Sequence, residues 1–506
     1  MRSTWRRALT NLTWTAGLLT LAACGGPAAP SLIRVAHESD VISLDPLLAD
    51  AASHSILANL CEGLVTFDGE MALRPALAAT WSNPDERTWL FELRKGVRFH
   101  DGGLVTASVV RSVLERARDD PQAASRRHLA TIEAIDVLGA DRLVLRTRNP
   151  DPLLINRLSW VLIAREPPGP GAWDRVVGTG PYRFVRWDRG RLLEAEAFDG
   201  YWGGRPAIDR VQFVPVEEGV RSVQVLERGE VDLLRFVPET LVDRMTAIPG
   251  VRVVSRPGIM GYYLWLDPRR AAPGNRNPFS DRRVRQAMSL AIDRKLLVER
   301  LGGHGGVSNQ LVPKGIFGHI AGLPEPTLDP GKATQILAQA GYAAGFRVTL
   351  SHRPQESMGI VARAVQEMLA PLGIRLDVEA LDWSELVPRW RAGRLPFFLA
   401  GWRFENGDAH SFLVDCVMTR DTGRNLGGNN PGYSNAELDR LIAEHGEIFN
   451  ETNRLGHYQA LTRVIMQEMP LVPLYTRDFL YASAERVAWA PRLDGRLLVA
   501  EVSLSR

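Results

Sequence analysis

FRVTLSHRPQESMGIVARAVQEMLAPLGIRLDVEALDWSELVPRWRAGRLPFFLAGWRFENGDAHSF, residues 346–412, carries the signature of the fold. FRVTLS (346–351) reads as a strand, MGIVARAVQEMLAPLG as a helix with an apolar stripe, IRLDVEA as a strand, WSELVPRWRAG as a helix and PFFLAG as a strand. A β-α-β-α-β order implies parallel strands joined by right-handed crossovers. In such sheets ligands bind beyond the carboxyl ends of the strands. Two of those ends run straight into charged and aromatic residues. Arg353 lies two residues past the first, and Trp402, Arg403, Glu405 and Asp408 follow the last. A core strand that opens into such a cluster is expected to form one wall of a ligand pocket.

Outward from this stretch, short strand and helix patterns alternate along the whole chain, so the class is mixed α/β. Residues 32–45 read as a strand with its exit, 48–61 as a helix, 87–99 as a half-buried strand, and 106–118 as a helix with Thr106 as N-cap. The Pro/Gly-rich EPPGPG (166–171) and PRRAAPGNRNPFSD (268–281) mark boundaries, the second followed by what reads as one long helix, VRQAMSLAIDRKLLVERL. At 506 residues the chain exceeds a single core, and two or three domains are expected.

Composition removes several function classes. Lys plus Arg number 61 against 58 Asp plus Glu, and no basic block interleaves with aromatics, so nucleic acid is not an expected partner. No H-E-x-x-H, G-x-S-x-G or G-x-x-x-x-G-K-[ST] pattern occurs, which leaves catalysis without a candidate centre. His352 and His410 flank the two strand ends and with Glu405 or Asp408 offer metal-ligand types, but without paired spacing. No metal and no cofactor is expected.

The N-terminus sets the compartment. Arg2, Arg6 and Arg7 precede an apolar stretch, Ala8 to Ala23, that is too short and too polar to span a bilayer. It reads as a secretory signal over residues 1–23. Leu21-Ala22-Ala23-Cys24 resembles the lipobox of bacterial lipoproteins, which implies acylation of Cys24, a tether over 24–31 and membrane anchoring outside the cytoplasm, in the periplasm or at the cell surface. Cys61 and Cys416 remain. The apolar setting of Cys61 favours a buried free thiol, while an oxidising compartment leaves a disulfide open.

FELRKGVRFHDGGLVTASVVRSVLERA, VGTGPYRFVRW and FSDRRVRQAMSLAIDRKLL occur in that order and resemble hallmark segments of the extracytoplasmic solute-binding proteins of peptide and nickel ABC importers, family 5, of the dipeptide/oligopeptide-binding type. The similarity runs from about residue 32 to the C-terminus. It implies a two-lobed periplasmic-binding-protein-like α/β fold of class II type with an extra domain inserted in lobe I. Lobe I would be residues 32–61, 173–262 and 471–506, the inserted domain 62–172 and lobe II 263–470, with a hinge near 263–270 and 470. The resemblance also implies a monomer that works with ABC permease subunits. In the family an acid three residues after a Trp holds the ligand's α-amine; here these are Trp402 and Glu405, where the pattern usually has Asp. Arg353, before Pro354, matches the arginine that holds a ligand carboxylate in dipeptide binders. Asp408 is a second acidic candidate, Ala51 and Ala52 stand where the facing backbone would be, and Arg403 could itself neutralise Glu405. The expected function is capture of short peptides or similar zwitterions. Nickel, haem or another non-peptide solute is the alternative, and a secreted lipoprotein hydrolase a distant one.

Overall fold

The computed structural model describes residues 30–167, 173–217, 219–269, 277–423 and 426–505. Cys24 and the expected signal segment lie outside the described residues. Among the described residues no helix is long and apolar enough to cross a membrane.

The parallel unit forms around 346–403. Phe346–His352 pairs in parallel with Ile374–Ala380 along its length, and with Phe397–Arg403 at Ser351 and Phe398. Helices Glu356–Leu369 and Trp383–Arg391 supply the crossovers. Side chains alternate across the strands and bury two separate cores. Leu264, Leu266, Phe397 and Leu399 face one layer of helices, while Tyr263, Trp265, Phe398 and Phe412 face another.

This unit is one end of an 11-stranded sheet that continues into the other lobe. The continuity comes from two long strands, Val251–Leu266 and Leu471–Ala484, which pair antiparallel. At one end they join Phe397–Arg403, and at the other, through Leu233–Leu234, they join Leu32–His37 and Arg210–Pro215. The molecule is therefore two-lobed with a shared backbone ladder. Residues 263–266 are buried in the second lobe. The register of the two long strands breaks twice, between Tyr262 and Tyr263 and, before that, where Gly258 and Ile259 stand as extra residues between the pairs Pro257–Asp478 and Met260–Arg477. A Cβ on Gly258 would lie 2.4 Å from the Arg477 carbonyl oxygen, so this irregularity needs glycine.

A four-stranded antiparallel sheet, formed from residues 78–147, packs with helix Ala107–Asp119 around its own core of Trp89, Phe91, Leu114 and Leu145. Thr106 caps that helix as expected, its hydroxyl accepting from the Val109 amide at 3.4 Å. The long helix expected over 284–301 is instead two, Arg282–Ala291 and Arg294–Arg300. Asp293 competes with helix continuation by accepting from the Leu296 amide (3.0 Å), and buried Arg294 turns back to donate to the Pro473 carbonyl (2.7 Å). Cys61 and Cys416 are free and buried in different cores.

Candidate ligand-binding site

The strand Phe397–Arg403 delivers its last residues to the seam between the lobes. Trp402 is half-buried and meets Phe412 edge-on at 5.8 Å, which ties its ring to the second lobe's core. Two residues past the strand Glu405 keeps 18% of its side chain open. Its backbone carbonyl accepts from the Trp160 indole at 3.2 Å, and the Asn406 carbonyl accepts from the Asn156 side chain at 2.9 Å. Both donors belong to the segment around helix Leu154–Leu158, so the 405–407 turn is one place where the lobes touch. Gly407 makes that turn at φ +67°, with the Phe67 ring 3.2 Å from where a Cβ would stand.

The four side chains expected at the site do not converge. Glu405 and Trp402 face the seam. Asp408 is buried and bonded internally: it accepts from the Tyr458 hydroxyl and from the His410 amide (2.8 Å), with Arg454 at 3.4 Å. Burial pushes its pKa up against the pull of Arg454. Arg353 is exposed, its guanidinium 5.3 Å from the Trp383 ring. The pairing of Ser351 with Phe398 sets Arg353 level with Ala400, three residues or ~10 Å short of Arg403 along the strand direction. The register thus separates Arg353 from Glu405 instead of pairing them as a clamp.

Arg403 takes the central position. Its guanidinium lies 5.3 Å from the Phe479 ring, and its charge reaches Glu38, Arg235 and Arg496 of the first lobe. Among the described residues no carboxylate pairs with it. Arg235 is fully buried and donates to Glu38 (2.9 Å), to His37 Nε2 (2.6 Å) and to the Gly495 carbonyl (3.2 Å). Burial lowers the His37 pKa to about 4, so its ring stays neutral and can accept from Arg235. For Glu38, burial raises the pKa most, but Arg235, His37, a backbone hydrogen bond and Arg403 together outweigh it, and the carboxyl is held below its usual range. Arg492 is bound by Asp494 (2.9 Å) and Glu501 (2.7 Å). Arg496 is 4.5 Å from the Trp160 ring and only 3.9 Å from Asp494. Burial lowers its pKa most, Asp494 and Glu405 oppose this, and Arg492 and Arg403 add to it. The Tyr481 hydroxyl and the Trp489 indole N–H, from rings 4.7 Å apart, are buried without partners.

Two spaces adjoin this cluster. A cavity of about 270 Å³ has Arg496 in its wall, with Asn59, Thr66, Ser159 and Leu162. A wider groove of about 1280 Å³ runs between Arg126, Arg127 and Arg148 on one side and Gly423 and Leu426 on the other. Arg127 stands at its edge, 3.9 Å from Glu405. Sequence reading missed Glu38, Arg235 and Arg496. A charge inside the apolar run VDLLRFV and the alternating charges of PRLDGR were the available signals.

The chain matches the model of the bacterial extracellular solute-binding proteins, family 5, over residues 72–423, more than half its length. The chain belongs to this family. It is accordingly a solute-binding protein of the kind that serves ABC importers, and not an enzyme. Among curated relatives, the glutathione-binding protein GsiB of Escherichia coli (strain K12) is 27% identical over 478 residues, covering 90% of this chain and 91% of its own. Among solved structures, DppA of Helicobacter pylori in complex with the peptide STSA superposes with TM-score 0.78 at 22% identity, over 94% of this chain and 98% of that one. AgaA of A. tumefacien R10 in complex with agropinic acid gives TM-score 0.77 at 25% identity, over 94% and 99%.

Proposed function

We propose that the protein captures short peptides or similar zwitterions outside the cytoplasm and delivers them to a membrane permease, with acylated Cys24 as its membrane anchor. The observation that carries this reading is the partly open carboxylate of Glu405 at the seam, two residues from Arg403, whose guanidinium no carboxylate among the described residues pairs with. A ligand amine on Glu405 and an anionic group on the arginines would complete both. Trp402 supplies apolar contact, and exclusion of water as the lobes close strengthens each charge pair. The relatives named for glutathione and for a bound peptide support a ligand of this size and chemistry.

The inserted domain is taken as residues 62–172, a division supported by a core drawn largely from 64–163. The hinge is placed at the irregular pairing around Gly258 and Ile259, which both lobes share. Native mass spectrometry of the soluble domain tests the function directly. A retained peptide-sized mass is expected, and a metal complex or haem in its place would overturn the reading. Among the described residues no group of three His, Cys, Asp or Glu suited to hold a metal ion occurs. For the anchor, Cys24→Ser should move the protein from the membrane to the soluble extracytoplasmic fraction, and an unchanged fractionation would contradict it.

A further inference from the structure

Besides Glu405, the two lobes bring two arginines to their meeting point. Arg403 reaches across from the second lobe, and Arg496 sits in the first lobe against Trp160. The Trp160 indole N–H bonds the Glu405 carbonyl, so the breadth of one tryptophan separates Arg496 from the turn that holds Glu405. Glu405 in turn follows Arg403 by two residues. Neighbouring arginines are already satisfied, Arg235 by Glu38 and Arg492 by Asp494 and Glu501. Arg403 pairs with no carboxylate among the described residues, and Arg496 has Asp494 only at 3.9 Å. Each guanidinium lies within the electrostatic reach of the other.

Two under-paired cations approaching in a closing, water-poor seam repel, and the repulsion grows as the dielectric falls. An oxyanion between them converts that repulsion into two charge-assisted hydrogen-bonding sites. We propose that Arg403 and Arg496, one from each lobe, form a carboxylate clamp beside Glu405, so that the protein selects compact zwitterions with a free carboxylate and closes fully only around them. The proposal rests on the zwitterion reading above and deepens it. It moves the anion-binding role from Arg353 to Arg403, and it makes the ligand's negative charge the trigger of closure.

The test compares a dipeptide with its C-terminal amide on the full soluble protein and on the variants Arg403→Gln and Arg353→Gln, by calorimetry. The free acid should bind the parent about 30-fold or more tightly than the amide, as expected when one partner of a buried charge pair is removed. In Arg403→Gln the acid should lose that advantage while amide binding stays within about threefold, since the clamp no longer distinguishes them. If the advantage survives in Arg403→Gln and disappears in Arg353→Gln, the clamp is overturned although the zwitterion reading stands. If neither compound binds the parent, the zwitterion reading fails as well. Small-angle scattering without added peptide gives a readout independent of ligand choice. Relief of repulsion should make Arg403→Gln more compact than the parent, and an equal radius of gyration for the two would count against a closure trigger. Near-ultraviolet circular dichroism matched to the parent establishes that the variant is folded.

Discussion

Glu405 and Asp408 are acids three residues apart in one turn, and their fates are opposite. Asp408 points into the second lobe, where the Tyr458 hydroxyl and the His410 amide bond one carboxylate oxygen and Arg454 stands 3.4 Å from the other, all from the same lobe. Glu405 points at the seam, where its nearest cation, Arg127, belongs to the other side and stands at 3.9 Å. A buried charge whose partners share its lobe holds that lobe together. A charge whose complement has to arrive from across the seam, or from solvent, is available to a ligand.

The sharpest way to break this contrast is to remove each acid in turn and measure both stability and binding. Asp408→Ala should cost about 3–5 kcal/mol of unfolding free energy, because it strands Arg454 and the Tyr458 hydroxyl in a dry core. Denaturant titration reads this as a lowered midpoint, and an unchanged midpoint would show that the network is not structural. Glu405→Ala should instead weaken peptide binding by about 2–5 kcal/mol. Acetylating the peptide amine should do comparable harm to the parent, and the two losses should not add, since both remove one contact. Additive losses in calorimetry would place the amine elsewhere.

A pH titration sharpens the same contrast. His410 lies half-buried beside the Asp408 network, and its loss of hydration chiefly, with Arg157 and Arg454 adding and Asp151 opposing, lowers its pKa to about 4. The unfolded chain then binds more protons than the folded one between about pH 6.5 and 4, so stability is complete above that window and falls as pH drops through it. His410 alone accounts for at most roughly 3 kcal/mol of this loss. His410→Gln should flatten the slope of unfolding free energy against pH, and an unaltered slope would remove His410 from the account. The smallest effect expected is that of Glu405→Ala on stability, under about 1 kcal/mol, as for a partly exposed ion pair. A larger loss would make Glu405 structural and erase the distinction.

Much of the architecture was legible because its determinants are local. Alternation in FRVTLS and IRLDVEA, the apolar stripe between them and the Thr106 cap each act within a few residues. Trp402 and Glu405 stand out in the sequence, since a strand ending in charge is a local anomaly, and the structure sets both at the seam. Pairings across the chain left no such mark. Arg235 meets Glu38 at a separation of 197 residues, and nothing in the sequence near either names the other. The separation of Arg353 from Glu405 was hidden for the same reason: its residue type and its Pro neighbour fit the role, but strand register decides its height in the sheet. The split helix at 292–293 shows a local signal overridden by a stronger one, because the Asp293 cap and the inward turn of Arg294 outweigh apolar periodicity that continues past them.

The crossing strands also constrain how the molecule can be re-engineered. Because Val251–Leu266 and Leu471–Ala484 each serve both lobes, neither lobe is a cassette that can be excised at a loop and grafted onto a relative. A chimaera has to cut both strands at matching heights, and the pairs Pro257–Asp478 and Met260–Arg477 bracket one of the two places where the ladder is already interrupted and a splice breaks fewer bonds than in its regular stretches.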